Sequence, residues 1–480
     1  MHRNKILAPL TAAALSAAAI AQVPSAVPYA RSLDLLVTDS SYDGIWRCID
    51  WNQDGDFNDA GEVLPFYDEN VGSLVLGNPS CIAAAPDGTV YVGDSTSDIV
   101  MAMRDANGDG DAHDPGEHRV FFDDSNPAGI AMASIQGLHV DLLGRVFLAI
   151  ANSGSTGVDL IVRLEDQNGD GDALDPGEAI DYHTVPGSVA TGDSIPSELA
   201  AGPDLNLYYT EAGATGVITK GVYRLADANF DGDCNDPGER SLFWDTSTIG
   251  ASSPFHYGMA IARDGRFYLS DHSSNETIWT ARDANGDGVI DATEQGVDYQ
   301  TAGSTWWDVV IRDDGSVLLC EDQTPDRLVV LRDLNGDGDA LDAGEATEIY
   351  NDTVAANGNL RPRGATLMRG PELQVSPATV AIGNPTNFFA TTNQPGQLVG
   401  VFLSIGLAGP VALPPFGQVE IDATQVVALG AGLSDAAQFY TQPFAVPNTP
   451  AAIGTLAAQA ICGDGFRLFL SNATVLTVTP

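Results

Sequence analysis

The chain of 480 residues is almost without lysine: Lys5 and Lys220 are the only two. Lys and Arg together number 21 against 65 Asp and Glu, which gives a formal net charge of −44 at pH 7. A surface of this charge repels nucleic acid and anionic membranes, because both are bound through positive side chains. The composition therefore argues against both kinds of partner.

Cysteine is also scarce. The chain has five cysteines, an odd and small number for its length, which predicts that no disulfide scaffold holds the fold together. Cys48, Cys81 and Cys320 lie in apolar, strand-like runs, so we expect them in the protein core.

Long apolar runs are absent after the N-terminus. The basic residues Arg3 and Lys5 precede an apolar stretch from Ile6 to Ile20. Residues 19–21 have the small-x-small pattern of a cleavage site. The stretch is too short to span a bilayer comfortably, and no later one reaches 18 apolar residues. The sequence predicts a signal peptide over 1–21, no membrane insertion, and a mature protein secreted to the extracellular medium, the cell surface or the periplasm.

Aspartate is abundant, and much of it belongs to a motif that occurs six times. The first copy begins at Asp50 and the others at Asp105, Asp166, Asp227, Asp283 and Asp333. Each has oxygen-bearing side chains at positions 1, 3 and 5, Gly at position 6 and Glu at the end. This is the pattern of an EF-hand-type calcium loop, because Ca²⁺ takes 6–8 oxygen ligands and the Gly permits positive φ. We therefore expect up to six bound Ca²⁺ ions.

The loops have two lengths. Residues 283–294 form a 12-residue loop that matches the pattern throughout, whereas the other five have one more residue, with Asp at position 10 and Glu at 13. The Asp-to-Glu spacing of three is constant, so the two act as a unit: either both bind metal, or one binds while the other fixes the turn. We favour the Glu as ligand. The predicted metal ligands are Asp50, Asn52, Asp54, Asp56, Asp59, Glu62, Asp105, Asn107, Asp109, Asp111, Asp114, Glu117, Asp166, Asn168, Asp170, Asp172, Asp175, Glu178, Asp227, Asn229, Asp231, Asp233, Asp236, Glu239, Asp283, Asn285, Asp287, Val289 (carbonyl), Asp291, Glu294, Asp333, Asn335, Asp337, Asp339, Asp342 and Glu345.

The alternative is that these loops are polar hairpin turns, which Asp, Asn and Gly form without metal. Two carboxylates about 4 Å apart repel each other by about 1 kcal/mol in water, and by more near protein. A turn needs one or two acidic residues, so the four or five in each loop favour a bound cation. An Arg one or three residues before each first Asp either supports the loop carboxylates or is a solvated strand residue: Arg47, Arg104, Arg163, Arg224, Arg282 and Arg332.

The loops begin 50 to 61 residues apart, a period that suits one four-stranded β unit. Between loops, short runs rich in Val, Tyr, Phe and Ile alternate with turns, as strands do. Six repeats of four strands predict a six-bladed β-propeller. The first repeat lacks its first strand, and residues 363–370 have the missing pattern. We expect this C-terminal strand to complete the N-terminal blade and close the ring.

The blades resemble NHL-repeat and gluconolactonase-type six-bladed propellers over roughly residues 33–370. The likeness lies in a Pro-Asp-Gly turn followed by an aliphatic-aromatic run and Asp-Ser, as in residues 86–95. It implies the fold far better than an activity. In the gluconolactonase type, Glu, Asn and Asp hold a central divalent metal, which Glu198, Asn152 and Asp271 would imitate here. The loops themselves also resemble those of integrin α-chain propellers, dockerins and thrombospondin repeats.

The composition changes near Pro371. Residues 371–480 contain one basic residue, Arg467, and alternating apolar runs separated by Pro and Gly, which indicate a small antiparallel β-sandwich. It resembles the C-terminal sandwich of many exported bacterial proteins. The predicted domains are thus a signal peptide at 1–21, an all-β propeller at 22–370 and a β-sandwich at 371–480.

Alignment of the first strands places several polar residues near the mouth of the propeller axis. The possible axial ligand site consists of Glu198, His256, Asp271, Trp306, Asp308 and Arg363. Trp306 and Trp307, with His256 and Arg361, make a stacking patch for sugar or peptide, unless these aromatic residues belong to the core.

Two functions follow from these observations. The first is a secreted calcium-binding propeller that acts as a binding or structural module at the cell surface, with a glycan, peptide or surface protein as partner. The second is a metal-dependent hydrolase or lactonase with its site at the propeller axis. No catalytic residue is predicted, because no Ser-His-Asp order or zinc spacing stands out.

Overall fold

The computed structural model describes residues 35–480 except 40, 51–53, 86–87, 106–109, 142–143, 153–157, 187–193, 214–217, 248, 250–255, 263, 273–275, 302, 313–314, 357–359, 369–372, 377–378, 393–395, 406, 414–416, 435–438 and 464–467. The predicted signal peptide lies outside the described residues. Within them, no helix is long and apolar enough to cross a membrane. The chain forms two compact units, one of residues 34–85 and 89–368 and one that contains residues 369–480.

The first unit consists of six four-stranded antiparallel sheets. The strands in chain order are β1 (Leu35–Asp39), β2 (Gly44–Cys48), β3 (Val63–Asp68), β4 (Pro79–Ala84), β5 (Val90–Asp94), β6 (Ile99–Met103), β7 (His118–Asp123), β8 (Ile135–Val140), β9 (Val146–Ile150), β10 (Leu160–Leu164), β11 (Ala179–Thr184), β12 (Pro196–Ala201), β13 (Leu207–Glu211), β14 (Gly221–Leu225), β15 (Arg240–Asp245), β16 (Met259–Ile261), β17 (Phe267–Ser270), β18 (Thr277–Ala281), β19 (Gln295–Gln300), β20 (Trp306–Ile311), β21 (Val317–Glu321), β22 (Arg327–Leu331), β23 (Ala346–Asn351) and β24 (Pro362–Leu367). The sheets are β24-β1-β2-β3, β4 to β7, β8 to β11, β12 to β15, β16 to β19 and β20 to β23.

The sheets are the blades of a six-bladed propeller, numbered 1 to 6 in this order. Their first strands contact one another in the sequence β24, β4, β8, β12, β16, β20 and back to β24, which closes the ring. The predicted closure is confirmed: β24 pairs antiparallel with β1, with Leu35 opposite Leu367. Every sheet therefore has both faces covered by neighbouring blades, and no blade lacks its first strand.

Burial follows from this arrangement. Every residue of β1, β5, β9, β13 and β21 is buried, because these second strands lie between sheets on both faces. The first strands approach each other even more closely: a Cβ added to Gly137 of β8 would lie 2.0 Å from the Ser197 carbonyl oxygen of β12. All five cysteines are buried, and Cys48, Cys81 and Cys320 lie in the core as predicted.

The second unit contains ten strands and two short 3₁₀ helices, Ala423–Gln425 and Pro450–Ala452. The strands are β25 (Leu373–Ser376), β26 (Thr379–Ala381), β27 (Pro385–Thr391), β28 (Leu398–Ser404), β29 (Leu407–Leu413), β30 (Gly417–Ile421), β31 (Val427–Leu433), β32 (Phe439–Ala445), β33 (Gly454–Gly463) and β34 (Leu468–Thr479). They form sheets β25-β27-β32, β26-β34-β33-β28-β31 and β29-β30. The sandwich is antiparallel except where β26 pairs parallel with β34. These two strands lie near opposite ends of the unit's sequence.

Candidate functional site

The six acidic loops connect the third and fourth strands of the six blades, and their main chains are held in the same way. In every loop, the N–H of the Gly at position 6 donates to the first Asp carboxylate at 2.9–3.0 Å. Each of these glycines has a φ between 87° and 106°, as the pattern predicted. The six loops therefore share the same hydrogen bond and the same glycine conformation at position 6.

The final Glu fixes the turn of each loop. Its Oε2 accepts the N–H of the Asp three residues earlier at 3.1–3.3 Å in all six loops. In the four loops whose start is described, Oε1 also accepts the N–H of position 2, as Glu178 does from Gln167 at 2.9 Å. The Glu carboxylate thus bridges the two sides of the loop. That it is also a metal ligand stays a prediction.

The Asn at position 3 lies between the Asp side chains of positions 5 and 10 in three of the loops. Asn168 Nδ2 lies 2.5 Å from Asp175 Oδ2 and 3.0 Å from Asp170 Oδ2, and the fourth and sixth loops repeat this arrangement. Rotation of the Asn amide would direct its oxygen to the point where the two carboxylates converge, which is the donor set that Ca²⁺ requires. Within the described residues, no three His, Cys, Asp or Glu side chains are already gathered around one metal position. Asn52, Asn107 and Asp109 lie outside the described residues.

Each loop also joins its blade to the preceding blade. The main-chain N–H of position 8 donates to a carbonyl of the neighbouring fourth strand, as Ala173 does to Phe121 at 2.8 Å, and all six loops do this. The residue at position 8 is buried in five of the loops. It is small in four of them and is an isoleucine in the fifth: Ala112, Ala173, Cys234, Ala340 and Ile290. This contact was not predicted, although an apolar residue at position 8 recurs in the acidic loops and can be seen in the sequence. Ordering the loop thereby orders the seam between two blades.

Arginines support these seams in a different way from the one expected. Arg47 Nη1 donates to the Gly110 carbonyl of the second loop at 3.2 Å, and Arg163 Nη1 donates to that of Gly232 in the fourth loop at 2.7 Å. Each of these two arginines thus contacts a position-6 carbonyl of the next blade, and support of the loop carboxylates stays a prediction. Arg224 instead forms an ion pair with Asp204 at 3.0 Å.

At the propeller axis, the structure brings together Glu198 and Asp308. Burial raises the pKa of both carboxyl groups, and the Asp308 charge raises that of Glu198 further. Asp308 Oδ2 accepts the N–H of Ala365 at 2.8 Å, so this carboxylate also links blade 6 to the closing strand. Asn152, by contrast, is held within its own connection through Val158 and Asp159. That Glu198, Asn152 and Asp271 hold a divalent metal together stays a prediction.

Two residues of the predicted axial site are interior residues. His256 is fully buried and its Nδ1 donates to the Ser270 carbonyl at 2.9 Å. Trp306 is fully buried in the hydrophobic cluster of blades 5 and 6. For Trp306 the structure favours the alternative of a core residue, because successive residues of β20 point to opposite faces of the sheet.

The mouth carries a cluster of Tyr257, His272, Trp307 and Arg363, which we call the mouth cluster. The three rings lie 4.3–5.1 Å apart, centroid to centroid, and the Arg363 guanidinium carbon lies 4.1 Å from the Trp307 ring centre. Asp322 holds the guanidinium at 3.1 Å through Nε. A half-buried tryptophan with a fixed cation over it is suited to stacking against a planar or ring-shaped ligand. Trp307 and Arg363 were predicted here, whereas Tyr257 and His272 were not assigned to a stacking patch.

Acidic residues at the ends of the second strands serve the backbone. Asp94 accepts four main-chain N–H groups, from residues 77, 78, 96 and 97, at 2.7–2.9 Å. Glu211 accepts those of Ile195 and Gly213 at 2.6 and 2.9 Å and the Ser194 hydroxyl at 2.8 Å. These carboxylates fix the connections that surround the mouth.

Burial raises the pKa of Glu211 from 4.5 to about 7, although its hydrogen-bond donors oppose the rise. The folded state then holds this proton more tightly than the unfolded state, so the free energy of unfolding falls as pH rises from about 4.5 to about 7. We expect Glu211→Gln to remove this fall. The variant should gain stability relative to the unmodified protein between pH 5 and 7.5, measured by urea unfolding at saturating Ca²⁺. A constant difference across this range would contradict the assignment.

Comparison with known proteins yields fold-level likeness only. No family model and no curated protein matches the chain. Among solved structures, a virginiamycin B lyase from Staphylococcus aureus is 14% identical, with 76% of this chain and 92% of that chain covered and a TM-score of 0.42. A putative 6-phosphogluconolactonase from Bacteroides fragilis is 15% identical (85% and 98% covered, TM-score 0.42), and a calcium-binding protein, regucalcin, from Agrobacterium tumefaciens is 13% identical (70% and 94%, TM-score 0.32). The function of this protein is therefore inferred from its own residues.

Proposed function

We propose that the protein is an exported six-bladed propeller that binds up to six structural Ca²⁺ ions and presents the mouth cluster to a ligand at the cell surface. The observation that carries the calcium assignment is an acidic loop repeated six times, with the same position-6 hydrogen bond to the first Asp in every copy. In each copy, carboxylates crowd a turn that needs one or two of them, in a chain with a single lysine after residue 5. A divalent cation is the charge that offsets their repulsion.

The ions would act through the seams between blades. A cation that draws positions 1, 3, 5 and 10 together fixes the path of the loop, and with it the position-8 bond to the preceding blade. Because the ions bind the folded loops and not the unfolded chain, they stabilise the ring by mass action. Calcium outside the cell would keep the loops filled.

Native mass spectrometry tests the stoichiometry. We expect the purified protein to carry up to six Ca²⁺ ions, and the triple variant Asp333→Asn, Asp337→Asn, Asp342→Asn to carry one fewer. Asp422→Asn, an acidic residue of the sandwich, is the matched control and should leave the count unchanged. A protein that holds no Ca²⁺ at millimolar concentration would refute the proposal.

The same measurement addresses the hydrolase alternative, which the pair of half-buried carboxyl groups of Glu198 and Asp308 at the axis favours. A metal-dependent hydrolase would hold one further, exchangeable ion that Asp308→Asn removes. A binding module would hold only the ions of the loops. Activity against lactones should accompany the additional ion and be lost with it.

For the ligand we propose a glycan whose ring stacks on Trp307, with Arg363 as a hydrogen-bond donor at its edge. We expect Trp307→Ala to weaken binding of the best ligand from a glycan array at least tenfold, about 1.4 kcal/mol. Tyr42→Ala removes an aromatic ring that is 49% exposed outside the cluster and should leave affinity unchanged. Equal affinity of the Trp307→Ala variant would place the ligand elsewhere, for instance on a peptide- or protein-binding surface.

A further inference from the structure

The seam between blades 3 and 4 differs from other seams of the ring. At two other seams, the fifth residue of one fourth strand contacts the first residue of the next fourth strand. Trp244 Nε1 donates to Gln295 Oε1 at 2.6 Å, and the Tyr67 and His118 rings are 5.0 Å apart. The corresponding pair at the blade 3 and 4 seam is His183 and Arg240, and here a cleft of about 620 Å³ opens. This volume lies within the range of small-molecule sites, about 300–1,000 Å³.

His183 lines this cleft with one ring nitrogen still available. The side chain is only 4% exposed, and its Nδ1 donates to the Cys234 carbonyl at 2.7 Å. Its Nε2 is buried and has no hydrogen-bond partner among the described residues. Burial lowers the pKa of His183, so the neutral ring dominates and Nε2 is an acceptor. A buried acceptor without a partner costs about 1–3 kcal/mol, which a suitable ligand would recover.

Arg240 and Asp181 supply one further donor and one further acceptor. Arg240 is fixed by Nε, which donates to the Tyr209 hydroxyl at 2.8 Å, and by the Tyr223 ring, whose centre lies 3.7 Å from the guanidinium carbon. Its Nη2 is buried and unpaired within the described part of the chain, and so is Asp181 Oδ1. Both residues line the cleft with His183.

We propose that this cleft binds a carbohydrate through a pair of neighbouring hydroxyl groups. Two acceptors, His183 Nε2 and Asp181 Oδ1, require donors, while Arg240 Nη2 requires an acceptor, and a hydroxyl group is both. A phosphate or carboxylate would satisfy Arg240 but meet the Asp181 charge. An ammonium group would satisfy Asp181 but meet Arg240. A vicinal diol suits all three side chains without an unpaired charge.

This site is separate from the mouth cluster and does not need metal for its three polar contacts. Residues 234–238 of the fourth acidic loop form the far wall of the cleft. This loop is joined to β11 by the Cys234 N–H, which donates to the Tyr182 carbonyl at 2.7 Å. Ligand binding at this cleft is therefore independent of ligand binding at the mouth cluster.

Saturation-transfer NMR and calorimetry on the Ca²⁺-loaded full chain test the proposal, with neutral mono- and disaccharides as probes and inorganic phosphate and methylammonium as competing classes. We expect at least one saccharide to bind. His183→Phe, which installs the residue found at the same place in blade 2, should weaken binding at least tenfold. Asp181→Asn, which keeps the size but exchanges an acceptor for a donor, should weaken it severalfold.

Two control variants separate this cleft from other causes. Tyr299→Phe changes the same strand position in blade 5, and Trp307→Ala removes the mouth tryptophan; both should retain full affinity for the probe. Equal melting temperatures of the His183→Phe variant and the unmodified protein would exclude misfolding. Absence of binding by every saccharide, preference for phosphate or methylammonium, or undiminished binding in both cleft variants would overturn the proposal.

Discussion

Chelation of calcium should lower the melting temperature of the protein by more than about 10 °C. Each occupied loop adds about 2.7 kcal/mol of stability at a free Ca²⁺ concentration 100 times its dissociation constant. One kcal/mol shifts the melting temperature of a domain of 150–250 residues by about 2–4 °C. Six loops act on six seams of one ring, so losing all of the ions has a far larger effect than losing any one.

The measurement is differential scanning calorimetry in 5 mM CaCl₂ and in excess EDTA, followed by restoration of Ca²⁺. The triple variant of the sixth loop, Asp333→Asn, Asp337→Asn, Asp342→Asn, should show a smaller response to EDTA because one site is already absent. The sandwich variant Asp422→Asn should respond as fully as the unmodified protein. A melting temperature that EDTA leaves unchanged would mean that the carboxylates need no cation.

Gly137→Ala should destabilise the propeller by about 3 kcal/mol or more. The added Cβ would lie 2.0 Å from the Ser197 carbonyl oxygen and 2.9 Å from the Glu198 Cα, both of them main-chain atoms that cannot rotate away. Strands β8 and β12 would have to separate, which opens the inner ring where the first strands meet. Overpacking of this kind usually costs about 1–3 kcal/mol, and a rigid backbone neighbour places this site at the upper end.

Urea unfolding at saturating Ca²⁺ measures the loss. Gly296→Ala is the matched control, because this glycine also lies in a propeller strand but an added Cβ meets no atom within 4 Å. That variant should be neutral or slightly stabilised, since Ala restricts the unfolded chain more than Gly does. Equal stability of the two variants would show that the inner strands yield more easily than their spacing implies.

Much of the fold was predictable because the acidic loop marks every blade. Its period gave the number of blades, and counting first strands showed that the last must pair with the first, as β24 does with β1. The positive φ of the position-6 glycines also followed from residue type. These features depend on local chemistry and strand order, which a sequence carries directly.

The candidate sites were predictable only in part. The sequence pointed to Trp307 and Arg363, but it did not join Tyr257 and His272 to them, since these residues come from different blades. The sequence left open whether the final Glu binds metal or fixes the turn, and the structure shows its carboxylate accepting main-chain N–H groups from both sides of the loop. The cleft beside His183 could not be predicted, because one of its walls belongs to the neighbouring blade.

The sequence by itself determined the blades, their acidic loops and the closure of the ring, because each is written within one repeat or in the order of repeats. The tertiary structure alone decided what lies between blades: the position-8 bonds, the mouth cluster and the cleft at His183. Most of these contacts join residues of different blades, and their geometry depends on how closely two sheets pack, which no single repeat encodes.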